Sequence, residues 1–195
     1  PIRFASTGHI IEGSGLFQAS SDFLRMTPAS GSTCTAFTIN MLAKKWDSSA
    51  SGWFFSVRTN SNSFFQIELD ANLIIIKHRT SGSDDWLYVT TAVFRDPASY
   101  MDITVAVGSA AGDVNLYING TTVALTETTQ KANAFGNSIG TAEPHEIGER
   151  SDASNSMGMY LARCVLSVGS KLAPTSFGSV TDDGFWQINS ASDLT

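Results

Sequence analysis

Apolar and polar residues alternate with period two along most of this chain, and no window of helical length holds a sustained i, i+3, i+4 apolar stripe. In FTINMLAKKW, residues 37–46, Phe37, Ile39, Met41 and Ala43 fall on one face while Thr38, Asn40 and Lys44 fall on the other. A side-chain period of two fits a pleated strand with one buried face, and it leaves no helix for the crossovers that parallel strands need. The expected fold is therefore all-β, with antiparallel strands in two packed layers.

The pattern recurs in GWFFSVR at 52–58, FFQIEL at 64–69, LIIIKHR at 73–79, WLYVTTAVF at 86–94 and YMDITVAVG at 100–108. Asp70-Ala71-Asn72 joins two of these into a hairpin. The strongest local signal is Asn119-Gly120 between DVNLYI and TTVAL, because both residues tolerate the positive φ of a two-residue type I′ turn. Residues 129–157, rich in Gly, Ser, Ala and Asn with one short apolar element around Ile147, are expected to form a long surface loop. The last strong strand is expected at 159–168, with Tyr160, Ala162, Cys164, Leu166 and Val168 on one face. Beyond it Pro174 blocks further ladder pairing, and Phe177 offers an apolar plug before Gly178 and a packing Trp186. A chain of 195 residues with 12 phenylalanines has ample apolar area for one sandwich core, at about 1.5–3 kcal/mol for each fully buried large apolar side chain.

Charged residues make up only 15% of the chain and the net charge is −6, which excludes a basic footprint for nucleic acid or an anionic membrane. No apolar run is long enough to span a membrane as a helix, and no signal peptide is recognisable. The start Pro1-Ile2-Arg3 fits removal of an initiator Met in the cytosol. Cys34 and Cys164 lack CxxC or metal-ligand spacing; they read as two buried, unlinked thiols, with a bridge left open should their strands be neighbours.

Several segments, in order along the chain, resemble the concanavalin A-like, laminin-G-like jelly-roll domains, in the version found in bacteriophage structural proteins. They are DFLRMTPASG at 22–31, FTINMLAKK at 37–45, DVNLYINGTTV at 113–123, and LAPTSFG at 172–178 with DDGFW at 182–186. Leu42 stands where that family often carries Trp, and Arg163 where its closing strand often carries an acid. The resemblance implies a two-sheet antiparallel sandwich over residues 22–187, with 1–21 as an N-terminal arm or first strand and 188–195 as a tail.

It also implies a non-enzymatic virion protein made in the host cytoplasm, either a capsid decoration (cement) protein or a fibre or tail-associated one. Its partners would be capsid or other virion proteins and further copies of itself. Phe4, Ile10, Ile11, Leu16 and Phe17 are the expected anchors of an arm that, extended, reaches about 70 Å and adds to a partner's sheet edge. The alternative is a host-recognition module that binds glycans. Trp46 and Tyr117 lie opposite their strands' apolar sets and are the residues expected to stack on sugar rings, whereas Trp53 and Trp86 read as core or rim.

A glucanase-like hydrolase is the weakest reading. HEIGER at 145–150 places Gly148 where the sandwich glucanases carry a central Asp, and Glu146 and Glu149, three apart, fall on opposite sides of an extended strand. A retaining pair needs carboxyls about 5–5.5 Å apart across one substrate, so no catalytic residue is assigned. His9, His78 and His145 sit in unrelated contexts, with His78 expected to be solvated, and Asn119-Gly120-Thr121 reads as a turn rather than a glycosylation site. No cofactor is assigned; the resemblance brings in a calcium ion at the sandwich rim, for which Asp84, Asp85, Asp96, Asp102, Asp113 and Asp152 are the oxygen donors to consider.

Overall fold

The computed structural model describes residues 13–18, 22–31, 34–132, 138–149 and 156–190. The strands are β1 (Gly15–Phe17), β2 (Leu24–Met26), β3 (Phe37–Lys45), β4 (Gly52–Asn60), β5 (Ser63–Asp70), β6 (Leu73–Thr80), β7 (Ser83–Thr90), β8 (Met101–Val107), β9 (Val114–Ile118), β10 (Thr121–Val123), β11 (Leu125–Thr129), β12 (His145–Ile147), β13 (Met159–Val168), β14 (Gly178–Val180) and β15 (Trp186–Ile188). One 3₁₀ turn, Pro174–Ser176, precedes β14. A six-stranded sheet runs β1-β13-β3-β8-β9-β10 and a seven-stranded sheet runs β11-β7-β6-β5-β4-β12-β2, with every ladder antiparallel. The all-β antiparallel sandwich is thus the architecture of this chain.

Period-two patterning does what it predicts. Phe37, Ile39 and Met41 of β3 and Ile103, Val105 and Val107 of β8 are fully buried, as are Phe65 and Ile67 of β5 and Ile74 and Ile76 of β6. The sheets meet at Phe37 and Phe65, whose rings pack edge to face with centroids 5.3 Å apart. Trp86 sits fully buried against Phe65 and Tyr88. The Asn119-Gly120 hairpin forms with both φ values positive, 50° and 73°, pairing Thr121 with Ile118. Ala71 and Asn72 make the corresponding turn between β5 and β6.

Three expectations need correction. Residues 129–157 are not one long loop: His145 and Ile147 alternate into the sandwich, so β12 lies inside the seven-stranded sheet between β4 and β2. His78 is not solvated but 3% exposed, stacked on Trp86, with Nδ1 2.8 Å from Asp85 Oδ2. The two cysteines are free thiols, as the sequence reading has them; Cys34 Sγ reaches the Ile139 carbonyl, and burial pushes the Cys164 thiol up to about 12. A β-bulge between Leu161 and Arg163 breaks the alternation of β13. Tyr160 therefore pairs with outward-facing Lys44, while Cys164 and Leu166 pair with inward-facing Met41 and Ile39.

The C-terminal latch closes over the outer face of the six-stranded sheet. Phe177 is 2% exposed, and Trp186 of β15 stands over the Asn119-Gly120 turn. Beneath the flap lies a buried polar row in which Asn40 Nδ2 donates to Asp102 Oδ1 and Thr104 Oγ1, and Trp186 Nε1 donates to Asp102 Oδ2. Arg163 donates to Asn40 Oδ1 and to the Asn189 and Phe177 carbonyls. This is the role of the arginine that stands where an acid was expected: its guanidinium ties the flap's carbonyls to the sheet.

Candidate functional site

Beyond the flap, at the other end of the same outer face, β3 runs out through Lys44 and Trp46, two residues apart and so on one side. Tyr160 of β13 is paired directly with Lys44, and Tyr100 leads into β8, whose Met101 pairs with Ala43. The indole of Trp46 stacks on Tyr160 with centroids 6.0 Å apart and planes 10° from parallel. Lys44 Nζ sits 4.6 Å from the Tyr160 ring centroid and 5.4 Å from that of Tyr100. A backbone bond from Trp46 N to the Gly158 carbonyl, 2.9 Å, fixes the chain at this point. Trp46 remains 45% exposed, so the structure presents a rigid aromatic platform flanked by an ammonium and by the polar loop Asp47-Ser48-Ser49.

Of the two residues expected to stack on sugars, only Trp46 belongs to this platform. Tyr117 is a half-buried residue of β9 paired with Thr104, which in turn pairs with Asn40 rather than with the Lys44 end of β3. Sequence reasoning missed Tyr160 and Lys44 because the bulge in β13, which turns Tyr160 outward, leaves no local signal, and because their pairing joins strands far apart in the chain.

Among the expected arm anchors, Phe4, Ile10 and Ile11 lie outside the described residues. Leu16 is 38% exposed on β1, which pairs with this chain's own β13. Phe17 is 6% exposed in this chain's own core and so is not free for a partner. A cleft of about 660 Å³ opens between β1 and β2, lined by Leu16, Phe23, Leu24, Ile147, Leu161 and Cys164 among others. Leu24 and Met26 beside it are 55% and 58% exposed.

Glu146 and Glu149 also depart from expectation. Gly148 takes φ +86°, which ends the extended run, so both glutamates come to lie beside Ser56 on β4, at 0% and 7% exposure. Ser56 Oγ donates to the Glu149 carbonyl at 3.1 Å and lies 3.5 Å from Glu146 Oε2. Arg25 Nε donates to Glu146 Oε1 at 2.7 Å. Burial, and then the Glu146 charge, raise the Glu149 carboxyl above its ordinary range, and among the described residues its Oε2 has no hydrogen-bond partner. The pair is thus one salt-bridged carboxylate beside one strained neighbour, sunk under the surface.

The calcium donors do not converge. Asp84 pairs with Lys77 and Arg79, Asp85 with His78 and Thr80, Asp113 with Lys171, and Asp102 with the flap. Asp96 Oδ1 caps Ala98, and Asp152 lies outside the described residues. No group of three or more acidic, His or Cys side chains among the described residues could hold a metal. Where rim oxygens do converge, Lys45 fills the place: its Nζ, fully buried, donates to Asn72 Oδ1 and the Phe94 carbonyl at 2.8 and 3.0 Å, and burial lowers its pKa. These residues do not fit a calcium site.

No protein-family model and no curated protein sequence matches the chain. Solved structures do. Domains LG4-5 of the mouse laminin α1 chain superpose with a TM-score of 0.61 at 9% identity, over 88% of this chain and 47% of that one, so the chain spans about half of the laminin pair. A heptameric SAP-like pentraxin from Limulus polyphemus gives 0.56 at 12% identity, over 82% and 77%. The CBM40 of the Ruminococcus gnavus IT-sialidase, bound to α2,3-sialyllactose, gives 0.55 at 15% identity, over 80% and 96%. At these identities the likeness is one of fold alone: the chain has a concanavalin A-like jelly-roll fold, with laminin-G-like neighbours.

Proposed function

We propose that this protein is a non-enzymatic carbohydrate-binding module whose site is the Trp46–Tyr160 platform. The observation that carries the reading is a half-exposed indole locked against a second ring, with the Lys44 ammonium on that ring. Aromatic faces gain by covering the C–H faces of sugars, and a pre-stacked ring loses little freedom when it does so. The reading is supported by a structural neighbour that was solved with a bound sialylated sugar. An enzyme is disfavoured because the two buried glutamates lie under the surface, one of them committed to Arg25. The test is a glycan array probed with the wild-type protein and with Trp46→Ala and Tyr160→Ala: binding by the first and its loss in both variants supports the site, and retention in both refutes it.

A second reading keeps the phage virion setting, in which the module is carried on a particle and held there by protein contacts. Leu16, Phe23 and Leu24, exposed around the open cleft between β1 and β2, support it, since such clustered apolar surface favours a protein partner. Removing residues 1–12, which precede β1, should release the protein from particles while leaving the sandwich folded by circular dichroism. Unchanged copy number on particles would refute an anchoring arm.

A further inference from the structure

Resting on the carbohydrate reading of the Trp46 platform, we infer that the site selects sugars bearing a carboxylate, with Lys44 as the residue that recognises it. The ammonium of Lys44 is placed differently from every other lysine in the chain. Lys45 Nζ is spent on Asn72 and the Phe94 carbonyl, and Lys131 Nζ on the Ala110 and Ala132 carbonyls. Lys77 meets Asp84 and Lys171 meets Asp113. Lys44 is held by the faces of Tyr160 and Tyr100, and among the described residues it has neither an ion pair nor a hydrogen bond from its Nζ.

Ring faces attract a cation without using up the directional capacity of its three N–H donors. They also fix the long side chain in place, so a ligand oxygen need not supply the cost of ordering it. Along the row Trp46, Tyr160, Lys44, Tyr100 the ammonium stands one ring beyond the indole, so an oligosaccharide with one sugar on Trp46 meets it with the carboxylate of the neighbouring sugar. A neutral hydroxyl would give that ammonium one ordinary hydrogen bond, whereas a carboxylate gives a charge-assisted one of about twice the strength. With a net charge of −6 the protein as a whole repels anions, so this selectivity is local to Lys44 rather than a long-range attraction.

The experiment is titration calorimetry with 3′-sialyllactose and its neutral core lactose as probes, on wild type, Lys44→Gln, Lys44→Arg and Trp46→Ala. The acidic sugar should bind wild type about tenfold more tightly than lactose, and raising the salt from 50 to 500 mM should narrow that ratio. Lys44→Gln should bring the ratio close to one by weakening the acidic sugar far more than lactose, Lys44→Arg should largely keep it, and Trp46→Ala should weaken both sugars together. Equal wild-type affinities, or a ratio unmoved by Lys44→Gln, would overturn the carboxylate assignment and leave the carbohydrate reading standing. Failure of wild type to bind either sugar, or any member of a glycan array, would overturn both.

Discussion

Trp186 donates its indole N–H to Asp102 Oδ2 across 2.7 Å, and so ties the last strand of the flap to a carboxylate that is 1% exposed in the six-stranded sheet. The same carboxylate accepts from Asn40 through its other oxygen. Trp186→Phe keeps the ring over Gly120 but leaves a buried anion short of a donor, and should cost about 1–3 kcal/mol. Trp186→Ala removes the ring as well and should cost about 3 kcal/mol or more. Urea denaturation of the two variants checks the order; equal losses would mean that the ring's packing over Gly120 contributes nothing, and no loss in Trp186→Phe that the hydrogen bond contributes nothing.

Gly120 is constrained twice over. Its φ is +73°, and a Cβ there would lie 2.2 Å from the Trp186 ring. Gly184, at φ +81°, has no atom within 4 Å of the same position. Gly184→Ala should therefore cost only the backbone term, about 1–2 kcal/mol, and Gly120→Ala clearly more because the flap must lift. Similar melting temperatures for the two variants would show that Trp186 does not seat on the turn in solution.

Acid should destabilise the sandwich through His145. Its Nδ1 lies 2.8 Å from the Glu143 carbonyl, which requires Nδ1–H, while Nε2 accepts from Gly140 N at 3.2 Å. The ring is neutral, and burial holds its pKa below the ordinary value. The unfolded chain takes up the proton near pH 6.5 and the folded one at lower pH, so stability present above that value is lost as pH falls through it and below. His145→Asn, which keeps the bond to Glu143, should melt at a lower temperature at pH 7 and show a flatter fall between pH 7 and 5. An unchanged slope would remove His145 from the account.

Glu149 has the opposite sign. Its carboxyl is raised by burial and by the Glu146 charge, so the folded state holds the proton longer than the unfolded one and loses stability as pH rises through that range. Glu149→Gln removes the like-charge contact and offers a donor to the crowded oxygens. It should raise the melting temperature at pH 7 by about 2–4 °C, the shift about 1 kcal/mol gives in a chain of this size, with little effect at pH 4. A lower melting temperature at pH 7 would contradict the geometry of this pair.

The strands, the Asn119-Gly120 turn and the closing latch were legible in the sequence because each is local: alternation sets the buried face, two positive φ values set the turn, and Phe177 fills the gap the strand leaves. What escaped was non-local. Nothing near Tyr160 announces the bulge that sends it outward to Lys44. His78 looks solvated beside Lys77 and Arg79, yet Trp86 across the ladder draws it inside. Gly148 looked like a missing acid, when its left-handed backbone is what folds Glu149 back beside Glu146. Trp46 was visible as an outward aromatic, but its partner Tyr160 was not, and the site is the pair.

The central claim is that this pair is a sugar-binding surface, and an equilibrium binding measurement on immobilised glycans addresses it most directly. Wild type should retain at least one glycan with a dissociation constant in the micromolar to millimolar range, Trp46→Ala should lose about tenfold or more at unchanged melting temperature, and Tyr117→Ala should bind as wild type does. Full binding by Trp46→Ala, or no binding by a correctly folded wild type, would contradict the claim.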